Sequence, residues 1–445
     1  MRKIGGRLVD IDRGIDLAGP QRSLRICHRR EGKELDRFEA AFDHLVAERP
    51  CTLFLVGRDF DADAQPGQVL ETRELRRFVT NEVQPLEADT ERLGQIPPDA
   101  LRRVRDQAKA LGLFAMNMPD AVGGGGLSNV DMCLVEEELG KTSDALIRRI
   151  FGQVYPMLLA CEGAQRDDYL LPTVRGERIC AMAITEPGAG SDAAAISTSA
   201  RLDGDQWVLN GRKHFISDGD IADYVIVMAV TDKDKRARGG ITLFLVDKDT
   251  PGFSVTGVQP MMGHRGYGHA ELVFENCRVS ASKVLGGVGN GFRLIMSSVS
   301  SIRLAHIGAR ACGMAQRVLE LMRQYAAERR QFGQPIGEFQ MVQQMIADSA
   351  TEIFATRMMV LNTAWELDQQ RDVRDKVSMV KLYASEMIGR VADRGIQLFG
   401  GMGFTKEMPL ERIYRDSRVT RIYDGTSEIH RMLIARSVIQ RGLAL

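Results

Sequence analysis

The run YVIVMAV at Tyr224–Val230 is unbroken, apolar and rich in β-branched residues, a pattern typical of a buried strand. Similar runs follow or precede it: WVL at 207–209, ITLFLV at 241–246 and ELVF at 271–274. Gly, Asp and Asn separate these runs, and no long helical pattern lies between them. Residues 178–291 are therefore predicted to form a central β domain, a barrel or sandwich rather than a doubly wound sheet.

Helical patterns flank this β segment on both sides. Apolar residues recur at helical spacing at Leu101, Val104, Ala108 and Leu111, and similar spacing resumes beyond Phe292. The predicted fold class is mainly α with a central β domain. The predicted divisions are an appendage of unknown role at 1–68, an N-terminal helical domain at 69–177, the central β domain at 178–291, and a C-terminal helical bundle at 292–445.

The composition excludes several classes of protein. Of 445 residues, 44% are hydrophobic and 27% charged, with 59 basic and 59 acidic side chains, as in a folded globular protein. No apolar run approaches the roughly 20 residues of a membrane span, and the zero net charge argues against nucleic-acid binding. Seven scattered cysteines without C-x-x-C, and no Cys/His cluster, predict reduced thiols and no metal site. We expect a cytoplasmic protein, or a mitochondrial-matrix protein if the source is a eukaryote.

Two short motifs each have a structural and a functional interpretation. TEPGAGSD at 185–192 follows an apolar run, so its backbone N–H groups and hydroxyls either cradle a phosphate or ring carbonyl, or simply form a turn. DGTSE at 424–428 is either a turn followed by a helix cap or the site of a functional carboxylate. Neither a G-x-G-x-x-G helix start nor a Walker motif occurs, which excludes the common nucleotide-binding loops.

Four segments, in one order, resemble the acyl-CoA dehydrogenase family. They are RICAMAITEPGAGSD at 178–192, NGRKHFISD at 210–218, ERRQFG at 328–333, and QLFGGMG at 397–403 followed by RIYDGTSEIHR at 421–431. The resemblance covers about residues 70–445. It implies an N-terminal helical domain, a β-barrel-like middle domain and a C-terminal four-helix bundle. It also implies FAD as cofactor and a homo-oligomer, expected to be a tetramer.

The resemblance also implies which residues bind the cofactor. Thr185 would contact the pyrimidine edge of the flavin, and Gly190 and Ser191 its pyrophosphate. Phe215 would lie against the isoalloxazine, and the hydroxyl of Ser217 near N5. Further predicted cofactor-binding residues are Thr426 and Glu428, together with four that would reach the FAD of a neighbouring subunit: Arg329, Phe332, Gln397 and Gly401.

The catalytic base departs from the usual pattern of the family. Asp424 occupies the position that is usually glutamate, and a second known position for the base falls near Ile302, which cannot ionise. An aspartate is one methylene shorter, which retracts the carboxylate by about 1.5 Å. The resemblance therefore implies Asp424 as the base, and the predicted substrate-binding residues are Ser191, Arg303, Asp424 and Gly425.

The resemblance implies an FAD-dependent enzyme that desaturates an acyl-CoA thioester to the trans-2-enoyl-CoA. It further implies that Asp424 takes the α-proton and that an electron-transferring flavoprotein, the usual acceptor in the family, accepts the electrons. Because the reference pKa of aspartate is near 3.9, this role requires an environment that raises the pKa of Asp424. Two alternatives stay open: a flavin oxidase on the same fold, similar to nitroalkane oxidase, and a non-catalytic flavoprotein relative.

Overall fold

Short helices make up the N-terminal part of the computed structural model, which describes residues 72–152 and 154–442. The predicted appendage at 1–68 lies outside these residues. Pro98 begins one helix, where its missing N–H is not needed, and Ser128 caps another by accepting from the backbone N of Asp131 at 3.1 Å. The α-helices are α1 (Thr72–Phe78), α2 (Glu87–Leu93), α3 (Pro98–Ala110), α4 (Asn129–Leu139), α5 (Asp144–Phe151) and α6 (Leu171–Val174).

A mostly antiparallel sheet follows. Its strands are β1 (Cys180–Ala183), β2 (Ser199–Asp203), β3 (Gln206–Ser217), β4 (Tyr224–Val230), β5 (Ile241–Asp247), β6 (Phe253–Val258), β7 (His269–Ser280) and β8 (Val284–Leu285). The strand order is β6-β7-β3-β2-β4-β5-β8, and β1 pairs with β4 in parallel. The two ends of this order do not pair, so the described strands of the barrel-like domain form an open sheet and not a closed barrel.

The central strand β4 is apolar along its whole length because both of its faces are covered. Tyr224, Ile226 and Met228 belong to the core that the sheet shares with the N-terminal helices. Val225 and Val227 point the other way, into a second core formed by residues of the sheet itself. Successive side chains of a strand point to opposite faces, so a strand between two cores loses the polar alternation of a half-exposed one.

Long helices form the C-terminal part. They are α7 (Gly291–Ile302), α8 (Arg310–Glu328), α9 (Gln340–Asp368), α10 (Arg374–Phe399), α11 (Leu410–Arg418) and α12 (Ser427–Arg441). A π-helical segment, Arg303–Ala309, joins α7 to α8, and a small hairpin, β9 (Arg330–Gln331) with β10 (Gln334–Pro335), follows α8. The helices α8, α9 and α10 share one apolar core. The predicted fold class and the order helices, sheet, helices are confirmed.

Three further features bear on function. None of the described helices is long and apolar enough to cross a bilayer. The described cysteines, Cys133, Cys161, Cys180, Cys277 and Cys312, are all buried free thiols. Across residues 72–152 and 154–442, no group of three His, Cys, Asp or Glu side chains is placed to hold a metal ion.

Candidate active site

Asp424 lies on a tight turn between a 3₁₀ segment and α12. Its φ is +52° and that of Gly425 is +91°, so two successive residues adopt the left-handed conformation that aspartate tolerates and glycine prefers. The Nε of Arg303 donates to the carbonyl oxygen of Asp424 at 2.7 Å. Thr426 then caps α12 by accepting from the backbone N of Ile429 at 3.2 Å. The structure therefore brings together Asp424, Gly425, Thr426 and Arg303, while Glu428 lies exposed in the first turn of α12.

Two buried side chains, those of Lys381 and His430, contact the backbone of this turn. Lys381, which is fully buried on α10, donates from Nζ to the carbonyl oxygen of Gly425 at 2.5 Å. The Nε2 of His430, also fully buried, lies 3.2 Å from the carbonyl oxygen of Asp424. A side chain at Gly425 would place its Cβ 2.9 Å from that same Nε2. Glycine is therefore required at position 425 both for its backbone conformation and for the space.

The environment of the Asp424 carboxyl changes its acidity. Desolvation raises the pKa of Asp424 above its usual value, and the positive charges of Arg303, Lys381 and Arg148 act in the opposite direction. Desolvation also lowers the pKa of Lys381 to about 8, although the charge of Asp424 opposes this shift. A carboxyl group with a raised pKa is better suited to accept a proton near neutral pH than an ordinary surface aspartate.

The loop that contains TEPGAGSD leaves the end of β1 and is fixed by a buried ion pair. Lys213 Nζ lies 2.8 Å from Glu186 Oε1, and both side chains are almost completely buried. The other carboxylate oxygen, Oε2, accepts from the backbone N of Ser197 at 2.6 Å. Thr185 is half-buried, whereas Gly190 and Ser191 are exposed. A Cβ built on Gly190 would meet nothing within 4 Å, so the space beside the loop is open.

Phe215 and Ser217 lie at the end of β3, beside this loop. The backbone N of His214 donates to the carbonyl oxygen of Thr185 at 2.8 Å, which ties β3 to the loop. Phe215 is 50% exposed with a φ of +58°, and its ring stacks on His214 with 4.0 Å between the centroids. A large apolar ring is usually buried, and a positive φ is strained for phenylalanine. Both features are typical of a functional position. The arrangement offers an apolar wall next to an open cradle of backbone groups.

A polar cluster, here called the histidine–tyrosine cluster, connects Ser217 with the Asp424 turn. Ser217 Oγ lies 3.3 Å from Nδ1 of His269, which stacks against His264 with 5.8 Å between ring centroids. The Oη of Tyr267 lies 2.7 Å from Nδ1 of His264. Tyr423, the residue before Asp424, closes the cluster with its ring centroid 6.4 Å from that of His264. Ser217, a predicted cofactor-binding residue, and Asp424, the predicted base, are therefore linked by one polar cluster.

The remaining predicted cofactor residues lie on a second surface. Arg329 and Phe332 follow the end of α8, and Phe332 is 94% exposed in the β9–β10 hairpin. Gln397 is exposed near the end of α10, and a Cβ at Gly401 would meet nothing within 4 Å. Stacking of Tyr325 on Phe399, with 4.1 Å between the centroids, holds these two helix ends together. Within the described chain, no hydrogen bond or ion pair joins this second surface to the TEPGAGSD loop.

Sequence reasoning missed several residues that the structure places at the site. Lys381 and His430 support the Asp424 turn, and the Lys213–Glu186 pair fixes the TEPGAGSD loop. Lys213 and Glu186 stand inside the quoted motifs, so the motifs contained the signal. No sequence signal identified Lys381, because a lysine on a long helix is normally expected to be exposed to solvent.

Profiles of one protein family match nearly the whole described chain. The N-terminal domain of acyl-CoA dehydrogenase matches residues 68–177, its middle domain residues 181–277, and its C-terminal domain residues 289–439. The three matches follow the order helices, sheet, helices that the fold displays.

Individual relatives agree with these profiles. Acryloyl-CoA reductase (NADH) of Anaerotignum propionicum is 37% identical over 372 residues, which cover 82% of this chain and 93% of the relative. The human mitochondrial short-chain specific acyl-CoA dehydrogenase is 36% identical, over 82% of this chain and 88% of the relative. A crystal structure of a probable acyl-CoA dehydrogenase from Mycobacterium abscessus superposes with a TM-score of 0.77 at 34% identity, over 82% of this chain and 97% of the other. The chain belongs to the acyl-CoA dehydrogenase family, whose members are FAD-dependent oxidoreductases acting on CH–CH bonds.

Proposed function

We propose that the protein desaturates an acyl-CoA thioester between its α- and β-carbons, with Asp424 as the base. The observation that carries this proposal is the Asp424 turn, where Arg303 and Lys381 bind two successive carbonyl oxygens and desolvation raises the pKa of the carboxyl against their positive charges. Such a carboxyl takes up the α-proton, and the backbone N–H of the same residue polarises the thioester carbonyl. Arg303 is a positioning residue in this proposal, because it contacts the Asp424 backbone.

The described residues fit a bound FAD. The open backbone cradle at Gly190 and Ser191 suits a pyrophosphate, and the half-exposed ring of Phe215 suits one face of a flat aromatic system. Ser217 supplies a hydroxyl on the side of the histidine–tyrosine cluster. When bound, FAD supplies the acceptor for the hydride that leaves the β-carbon. With the proton on Asp424, the saturated thioester becomes the trans-2-enoyl-CoA, and we propose an electron-transferring flavoprotein as the next electron acceptor.

Replacing Asp424 tests the proposal directly. Asp424→Asn keeps the size, the turn conformation and the backbone N–H, but cannot accept a proton. General-base assistance is worth about 10² to 10⁴ in rate, so anaerobic flavin bleaching by a panel of acyl-CoAs should slow at least about 100-fold, while FAD stays bound. Asp203→Asn, on an exposed part of β2, is the matched control. An Asp424→Asn protein that bleaches at the wild-type rate would refute the assignment of the base.

The same assay separates the alternative functions. The oxidase alternative predicts oxygen consumption with nitroalkanes, and the non-catalytic alternative predicts that no acyl-CoA bleaches the flavin. Because one relative is named acryloyl-CoA reductase, the reverse reaction is measured as well, by mixing the reduced protein with enoyl-CoAs. Bleaching by saturated acyl-CoAs without oxygen consumption supports the dehydrogenase.

We also propose a homotetramer in which Arg329, Phe332, Gln397 and Gly401 bind the FAD of a neighbouring subunit. The support is the exposure of these groups, above all Phe332, on a surface that is not joined to the TEPGAGSD loop within the described chain. Arg329→Ala removes a charge-assisted hydrogen bond, which should lower FAD affinity about 10- to 150-fold. Arg323→Ala, on the exposed face of α8, is the control. Unchanged FAD affinity of the Arg329→Ala variant, or a monomer by light scattering, would contradict the proposal.

A further inference from the structure

A small cavity of about 20 Å³ lies between the Asp424 turn and the N-terminal helices. Its lining includes Ser143, Asp144, His264, His306, Arg310 and Tyr423. A space of this size accommodates about one water-sized group. The cavity is therefore too small for a ring, but large enough for one hydroxyl.

The π-helical segment Arg303–Ala309 connects the cavity with the Asp424 turn. Arg303 at its start binds the Asp424 carbonyl, while His306 and the following Arg310 line the cavity. Arg310 Nη1 donates to Asp144 Oδ1 at 2.5 Å, and Arg310 also forms an ion pair with Glu136. Single π-helical turns within α-helices occur frequently at functional sites. Side chains from this one π-helical segment and the residue after it thus contact the Asp424 turn and line the cavity.

The wall of the cavity includes neighbours of both Asp424 and Ser217. Tyr423 on its wall is adjacent to Asp424, and His264 on its wall stacks against His269, which contacts Ser217. In the proposed reaction Asp424 takes the α-proton, so Tyr423 borders both the reaction site and the cavity. The histidine–tyrosine cluster likewise borders the cavity and contacts Ser217.

Ser143 marks the cavity as a place for a hydrogen-bonding group. Its Oγ is buried and makes no hydrogen bond with any described residue. Serine at the N-cap of a helix normally accepts from a backbone N–H, yet Ser143 precedes α5 without such a bond. A buried hydroxyl without a partner is costly, so a ligand atom that bonds to it would be recognised.

The charges around the cavity decide between a neutral and a charged ligand. Two guanidinium groups and two carboxylates line it, and they pair as Arg310 with Asp144 and Arg412 with Asp416. Burial lowers the pKa of His306 to about 4, so this ring is neutral near pH 7. A substrate carboxylate would add an unpaired buried charge, and a bare methyl would leave Ser143 without a partner. A neutral hydroxyl satisfies both conditions.

We infer that this cavity is the end of the acyl pocket, and that the substrate is a short acyl thioester whose distal carbon carries a neutral hydroxyl, bound by Ser143. This inference rests on the proposed dehydrogenase function. Ser143 is a specificity-determining residue in it, because it contacts the end of the chain and none of the reacting atoms.

Matched pairs of thioesters test the inference on the full-length holoenzyme. Butyryl-, pentanoyl- and hexanoyl-CoA are compared with their terminal hydroxy derivatives by anaerobic flavin bleaching, with glutaryl-CoA as the charged probe. At one chain length the hydroxy compound should be favoured in kcat/KM by about tenfold, the value of one well-placed hydrogen bond. Equal or better turnover of the unsubstituted partner at every length, or a preference for glutaryl-CoA, would overturn the inference while leaving the dehydrogenase function intact. If no thioester bleached the flavin, both would fail.

Two variants assign the preference to Ser143. Ser143→Ala should abolish the preference, with kcat/KM for the hydroxy compound falling about tenfold to the level of its unsubstituted partner in the same variant. Ser128→Ala, which removes a working helix cap, should destabilise the protein without altering the preference. Calorimetric binding of the non-reactive thioethers S-butyl-CoA and S-(4-hydroxybutyl)-CoA, and their longer homologues, repeats the comparison without turnover. A preference that survives Ser143→Ala in both assays would overturn the assignment.

Discussion

Lys213 and Lys381 are both completely buried, and desolvation lowers the pKa of each to about 8. Their partners differ. Lys213 lies 2.8 Å from the carboxylate of Glu186, with which it forms a buried ion pair. Lys381 instead donates to the backbone carbonyl of Gly425, and the negative charge that opposes its shift most strongly is that of Asp424. One lysine fixes a loop, and the other holds a turn that carries an ionisable group.

The two buried lysines therefore have different effects. In the Lys213–Glu186 pair the positive and negative charges compensate each other, so the pair mainly fixes the conformation of the TEPGAGSD loop. Next to Asp424 the lysine charge has no carboxylate in contact among the described residues. It therefore acts on the protonation of Asp424, because an ammonium group favours the ionised form of a nearby carboxyl.

Removing Lys213 should produce the largest effect on stability. Lys213→Met leaves Glu186 buried without its partner, and breaking such a pair costs about 3 to 5 kcal/mol. We expect denaturant unfolding of the variant at a correspondingly lower midpoint, together with weaker retention of FAD. In the double variant Lys213→Met/Glu186→Gln part of the lost stability should return, because a neutral amide costs less to bury than an unpaired carboxylate and its oxygen can still accept from the backbone N–H groups of the loop. Strictly additive losses in the double variant would show that the two side chains do not act as a pair.

Removing Lys381 should have its main effect on the pH profile. Lys381→Met loses one hydrogen bond, about 1 kcal/mol, and removes a positive charge that lowers the pKa of Asp424. The acidic limb of kcat/KM should therefore move upward by about one pH unit. The control is Lys376→Met, on the same helix α10 but paired with Glu366. An acidic limb that stays in place in Lys381→Met would mean that Lys381 only supports the turn.

Lys381 should also affect the stability of the protein at alkaline pH. Below pH 8 the lysine is protonated in both states, whereas between about 8 and 10.5 the folded protein releases the proton of Lys381 and the unfolded chain keeps it. Stability rises wherever the unfolded state binds more protons, by up to about 1.4 kcal/mol per pH unit and group. The difference in unfolding free energy between wild type and Lys381→Met should therefore increase, in favour of wild type, from pH 8 to 10. A constant difference would contradict the lowered pKa of Lys381.

Sequence patterns were sufficient for the order of the layers. The unbroken apolar run at Tyr224–Val230 indicated a strand, and it forms strand β4. That both faces of β4 are covered is a finding of the structure. Whether the sheet closes was not predictable, because closure depends on pairing between its two end strands, β6 and β8, which are far from each other in the order. Local periodicity contains no information about such a pairing.

The site was predictable where one short segment contains both the chemical group and its turn. Asp424 and Gly425 follow from DGTSE, and their positive φ values agree with a turn. The supports of this turn come from elsewhere in the chain: Arg303 from the π-helical segment and Lys381 from α10. A buried lysine on a long helix has the same sequence pattern as an exposed one, so only its three-dimensional neighbours identify it. The roles assigned to the cofactor-binding residues stay predictions.

The π-helical segment has a consequence for the phase of the whole helical run from α7 to α8. A π-helical turn accommodates one more residue than an α-helical turn, and in an α-helix each residue turns the direction of the side chain by about 100°. The extra residue is therefore accommodated locally, and the helices on either side keep the phase of one α-helix. Deleting one residue between Arg303 and Ala309 should convert the π-helical turn into an α-helical one, so that Arg303 keeps the Asp424 carbonyl and Arg310 keeps Asp144. An added residue would instead rotate one flank by about 100°, and one of these two contacts would be lost. The seven-residue segment Arg303–Ala309 thus tolerates a deletion better than an insertion.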